Sequence, residues 1–184
     1  MKRLGLLRHA KSDWDDLSMR DFDRGLNDRG RRGAALMGQH IREHAITWEL
    51  ALASPAERVR RTIEATGLDL PIRFEDRAYL ATASVLVELL QRVEGDPGSV
   101  LLLGHNPGLQ ELIFDLVSDE HENALFAAAA EKYPTAAFAV LELEIERWSE
   151  CTKGCGRLVH FARPRDLDAT LGPETVDERA GGLR

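Results

Sequence analysis

The 184-residue chain has only two cysteines, no basic excess and no long apolar run. The formal net charge of −7 argues against nucleic acid as a partner, because affinity for a phosphate backbone needs a basic surface. No segment approaches the roughly 18 consecutive apolar residues of a membrane span, and the start lacks an apolar core followed by small residues. The expectation is a cytoplasmic, monomeric protein with no membrane partner. Cys151 and Cys155 could supply half of a zinc site, but no second Cys/His pair lies nearby in sequence. They read instead as two reduced thiols in a hairpin connection between strands at Phe138–Trp148 and Gly156–Phe161. No linker, repeat or low-complexity tract divides the chain. It is expected to form one domain over residues 1–164, long enough to bury about 70% of its unfolded surface. A charged tail with Gly and Pro, residues 165–184, is expected to be mobile.

The sequence does hold three apolar runs that end in polar, chemically capable residues. Leu4-Gly5-Leu6-Leu7 leads into Arg8-His9. Val100-Leu101-Leu102-Leu103 leads into Gly104-His105-Asn106-Pro107. Leu50-Ala51-Leu52-Ala53 leads into Ser54-Pro55 and a helix carrying Arg58, Arg60, Arg61 and Thr62. Such short apolar runs read as buried parallel strands, and open α/β sheets bind ligands beyond the carboxyl ends of their strands. Arg58 lies on the first helical turn near a strand end, whereas Arg60 and Arg61 point elsewhere by helical spacing. A histidine beside a guanidinium is poorly placed to hold a cation and well placed to meet a phosphate.

The order of elements follows from the same patterning: strand 2–8, helix 30–45, strand 50–54, helix 56–67, strand 72–75, helix 83–94, strand 99–104, helix 108–118, then the two late strands. Ala34, Leu36, Met37, Ile41 and Ala45 recur at helical spacing and read as core, as do Leu86, Leu89, Leu90 and Val93. Strands alternating with helices predict an α/β three-layer sandwich, its largely parallel central sheet covered by helices on both faces.

Leu-Leu-Arg-His-Ala, Ser54 to Thr62 and Leu-Gly-His-Asn-Pro together resemble the histidine phosphatase superfamily, or phosphoglycerate mutase-like fold. The similarity is greatest to its small, SixA-like phosphohistidine phosphatase branch, and spans residues 2 to 163. The Arg-His-Gly usual in the family stands here as Arg8-His9-Ala10, and Gly25 replaces a more usual proline in Asp23-Arg24-Gly25-Leu26-Asn27. Tyr133-Pro134-Thr135-Ala136 before a late strand also fits. The resemblance implies that Arg8, Arg58 and His105 bind the phosphoryl group, with His105 donating a hydrogen bond to it, and that water hydrolyses a phosphohistidine intermediate.

His9 is assigned as the nucleophile, since an imidazole of ordinary pKa about 6.5 is largely unprotonated at neutral pH. Neighbouring arginine charges disfavour the imidazolium and neutralise the phosphoryl oxygens, so neither metal nor cofactor is required. Glu75 and Asp76 occupy the region where larger relatives place a general acid, but do not reproduce that motif. A weak acid suits a phosphohistidine in a protein, whose leaving imidazole needs less protonation than an alcohol. The alternatives are a small-molecule phosphomonoesterase, a phosphoglycerate-type mutase, and a non-catalytic module that binds phosphoproteins.

Overall fold

A computed structural model describes residues 1–173. Six strands form one mixed sheet in the order β3-β2-β4-β1-β5-β6: β1 Lys2–Arg8, β2 Leu50–Ala53, β3 Ile72–Phe74, β4 Ser99–Gly104, β5 Phe138–Leu143 and β6 Gly156–Ala162. The four strands β3, β2, β4 and β1 are parallel, while β5 runs antiparallel to both β1 and β6.

Alternation along the strands sorts the core into two layers, because successive side chains leave opposite faces of a sheet. Leu4, Leu6, Leu52, Leu102 and Leu141 bury one face under α3 (Ala83–Gln91), α4 (Gly108–Leu116) and α5 (Ala124–Glu131). Leu7, Ala53, Leu101, Leu103 and Val140 bury the other with Met37 and Ile41 of α1 (Asp28–Glu43) and Val59 of α2 (Glu57–Thr66). The result is an α/β sandwich. Among the described residues, no helix is long and apolar enough to cross a membrane.

Local chemistry sets the helix ends. Asn27 accepts from the Gly30 amide at 2.8 Å and starts α1 ahead of the expected residue 30. The helix stops at Glu43, so Ala45 is exposed rather than core. Gly67, at φ 66°, ends α2 in a left-handed conformation. The helices α1 and α2 approach so closely that a Cβ at Gly38 would lie 2.1 Å from the Thr66 carbonyl oxygen.

The second half departs further from the sequence expectation. Helix α5 was not expected at all. The first late strand ends at Leu143, and Trp148 lies buried in a 3₁₀ turn, so the β5–β6 connection is a folded loop rather than a tight hairpin. Both cysteines in it are free thiols. Part of the expected tail is structured: Pro164–Leu167 forms a short helix, α6, and Ala169–Leu171 a 3₁₀ turn. Asp168 and Thr170 approach Arg32 of α1. Residues 174–184, the remainder of that tail, lie outside the described residues.

Candidate active site

The register of β1 against β4 builds the centre of the site. Arg8 pairs with Gly104, so His9 and His105 emerge side by side one residue beyond the paired ends. Their ring centroids are 5.3 Å apart. Ala53 of β2 pairs with Leu103, which brings Ser54 to the same edge. The Pro55-Ala56 turn then starts α2, whose first turn carries Arg58. Thr62, one turn on, accepts from the Ala10 amide at 2.9 Å and donates to the Arg58 carbonyl at 2.7 Å. A single buried hydroxyl thereby ties the His9-Ala10 bend to the helix bearing Arg58.

The four residues singled out in the sequence converge, each with distinct partners. His9 is 8% exposed and its Nδ1 lies 2.7 Å from the Ala10 carbonyl oxygen. A carbonyl only accepts, so Nδ1 carries the proton and Nε2 holds a free lone pair. Burial, reinforced by the charges of Arg8 and Arg58, lowers the His9 pKa to about 4. His105, 3% exposed, is held even lower, at about 3, by burial and then by His9 and Arg58. Arg8 donates to the Tyr133 carbonyl at 2.9 Å, while its buried Nε has no partner among the described residues. Arg58, 5% exposed, donates to the carbonyl and the carboxylate of Asp21 at 2.8 and 3.0 Å.

Asp21, Tyr79 and Ser54 were not among the residues expected from sequence. A 3₁₀ turn at Asp21–Asp23 sets the Asp21 carboxylate against Arg58, and the Tyr79 hydroxyl donates to the same carboxylate oxygen. Burial alone would raise the Asp21 pKa, but the hydrogen bonds from Tyr79 and Arg58 prevail and lower it. The Tyr79 ring packs edge-on to His105 with centroids 5.4 Å apart. The segment between β1 and α1 thus reaches across to Arg58 and Tyr79.

The other two arginines of α2 turn away from the site. Arg60 lies over the Phe74 ring and Arg61 pairs with Glu57 and Glu64, both as helical spacing requires. Glu75 and Asp76 follow β3, the Glu75 amide donating to the Ala53 carbonyl at 2.9 Å on the same sheet edge as Ser54.

Comparisons with known proteins place the chain in a family. The family model of the histidine phosphatase superfamily (branch 1) matches residues 4–81. An uncharacterized protein of Mycobacterium tuberculosis H37Rv is 36% identical over 160 residues, covering 86% of this chain and 100% of the relative. This chain belongs to the histidine phosphatase superfamily. Within it the branch is SixA-like. The structure assigned as phosphohistidine phosphatase SixA from Agrobacterium tumefaciens is 30% identical, with TM-score 0.73 over 89% of this chain and 98% of its own. Its counterpart from Nakamurella multipartitia is 26% identical, with TM-score 0.79 over 89% and 96%. The enzyme is therefore a histidine phosphatase, and the pocket at the β1, β2 and β4 strand ends is its candidate active site.

Proposed function

We propose that this histidine phosphatase removes phosphate from phosphohistidine in a protein, through a covalent intermediate on His9. The observation that carries the reading is the bond between His9 Nδ1 and the Ala10 carbonyl, which leaves Nε2 as an unprotonated nucleophile between two arginines.

The Nε2 lone pair attacks phosphorus, the N–P bond to His9 forms, and the bond to the leaving nitrogen breaks. Arg8 and Arg58 take the equatorial oxygens, where charge spreads in the transition state. Ser54 Oγ accepts from the Ala56 amide at 3.3 Å, and its own proton has His105 Nε2 as acceptor at 2.7 Å. That leaves the proton of His105 on Nδ1, a buried atom with no partner among the described residues, available to donate to a phosphoryl oxygen. Water then attacks phospho-His9, releasing orthophosphate and restoring the imidazole. No step requires a cofactor.

The acid inventory favours a nitrogen leaving group. Asp21, the carboxylate closest to the machinery, is ionised by its bonds to Tyr79 and Arg58 and has no proton to give. An alkoxide would need such a proton, whereas a phosphohistidine already protonated on its second nitrogen departs as neutral imidazole.

The test is to trap the phosphoenzyme from a phosphohistidine protein and locate the label. Label on His9, absent in His9→Ala with an unchanged thermal melt, is the expected result. Label on another residue overturns the assignment, and faster turnover of alkyl phosphates than of phosphohistidine overturns the substrate class.

A further inference from the structure

Arg8 also lines a cavity of about 270 Å³ that includes none of His9, Arg58 and His105 in its walls. Lys11 reaches it from the bend after β1, Arg29 from the first turn of α1, Lys132 from the end of α5 and Arg165 from α6. Five cationic residues and no Asp or Glu form this lining, in a chain with 31 acidic and 24 basic residues.

Among the described residues, no carboxylate lies within ion-pair distance of these five, although Asp166 acts on its neighbour Arg165 through space. The carboxylates on adjoining turns are engaged elsewhere: Asp28 with Arg31, Asp166 with Arg163, and Asp168 with Arg32. The polar partners that Arg8 and Arg29 do have are neutral carbonyls, those of Tyr133 and Gly172. Like charges gathered in a concavity repel one another and raise the local concentration of anions. The volume is below the roughly 300–1,000 Å³ of pockets that enclose whole drug-sized ligands, and suits one oxyanion with a short tether.

We propose that this cavity is an oxyanion subsite for a second acidic group, a carboxylate or a phosphate, carried by the phosphorylated substrate beyond its reacting phosphoryl group. The proposal rests on the placement of that phosphoryl group between Arg8 and Arg58. Arg8 lies at the boundary and serves both anions, which couples substrate choice to the residue that steadies the transferring phosphate. The substrate class narrows accordingly, from any phosphohistidine to one with an acidic neighbour.

The test counts orthophosphate sites on the full chain by calorimetric titration. Two sites per chain are expected. The double variant Lys132→Ala, Arg165→Ala should lose one of them and keep aryl phosphate turnover within about twofold, since screened, substrate-remote charges act on binding rather than chemistry. Arg58→Ala should lose the other. A single site that disappears in Arg58→Ala and ignores the double variant overturns the subsite. A single site with the opposite dependence keeps the subsite and removes the phosphoryl assignment. KM then identifies the source of the second anion. A glutamate-flanked phosphohistidine peptide should have a KM about tenfold below a lysine-flanked one, with the difference lost in the double variant. A preference confined to small bisphosphates over monophosphates points to a small molecule instead, and no preference of either kind overturns the proposal.

Discussion

Ser54 Oγ lies 2.7 Å from His105 Nε2, and that nitrogen is the acceptor within reach of the Ser54 hydroxyl proton among the described residues. Ser54 is fully buried, so no solvent can replace its hydroxyl without rearrangement. Ser54→Ala is expected to lower kcat about tenfold or more while His105 remains in place, because the imidazole then loses the partner that sets its tautomer. Ser54→Thr, which keeps the hydroxyl, should recover part of the rate. Equal loss in both variants, with altered melting, would mean that Ser54 only fills space.

The depressed pKa of His9 predicts an acid limb of kcat/KM near pH 4 to 5, well below the 6.5 of free imidazole. A limb centred at 6.5 in an aryl phosphate assay would show that the nucleophile is not desolvated.

Stability should follow the same groups. Above pH 6.5 these imidazoles are neutral in both states and contribute no pH dependence. Between that value and about 4, the unfolded chain binds protons that folded His9, His105 and His160 refuse, so stability falls as pH falls. His160 Nε2 meets His40 Nε2 at 2.8 Å, a contact that requires one of the two nitrogens to be unprotonated. Each fully buried imidazole adds a slope of about 1.4 kcal/mol per pH unit in that window. Denaturant midpoints measured from pH 7 to 5 would reveal it, and a flat profile would count against the burial of these rings.

Asp21 occupies the guanidinium fork of Arg58 that a phosphoryl group would otherwise use. Asp21→Asn removes a negative charge from the rim and is expected to tighten orthophosphate inhibition about threefold to tenfold. Arg58→Ala should weaken it roughly tenfold to a hundredfold, the cost of one charge-assisted contact. Unchanged inhibition in both variants would place the anion elsewhere.

A leaving-group series tests the acid. With Asp21 ionised, rates should fall steeply from aryl to alkyl phosphates, and Glu75→Gln and Asp76→Asn should change aryl turnover less than the roughly 10²–10⁴-fold typical of a general acid. A flat series that either substitution turns steep would identify the missing acid.

Sequence made the strand-end residues legible because period and position suffice for them: an apolar run ending in Arg8-His9 or Gly104-His105 already states where those side chains emerge. Asp21 and Tyr79 were illegible for the opposite reason. Each lies in an irregular segment, and only the turn at 21–23 and the turn after β3 decide that they meet at Arg58. Helix α5 was missed because Ala-Leu-Phe-Ala-Ala-Ala-Ala-Glu has no polar stripe to mark a face, although alanine is the strongest helix former and Asn123 caps its start. The cationic cavity draws its walls from five separate elements, and no window of sequence contains it.

The pairing of Arg8 with Gly104 has a consequence for the chain as it is made. His9 and its companion histidine are almost a hundred residues apart in sequence, and the Arg8 amide donates to the carbonyl of Ala137, later still. Contacts of such sequence separation form late, after long loops have closed. A nascent chain interrupted before β5 therefore leaves β1 without its antiparallel neighbour, and the strand end that bears His9 stays in an unfinished sheet.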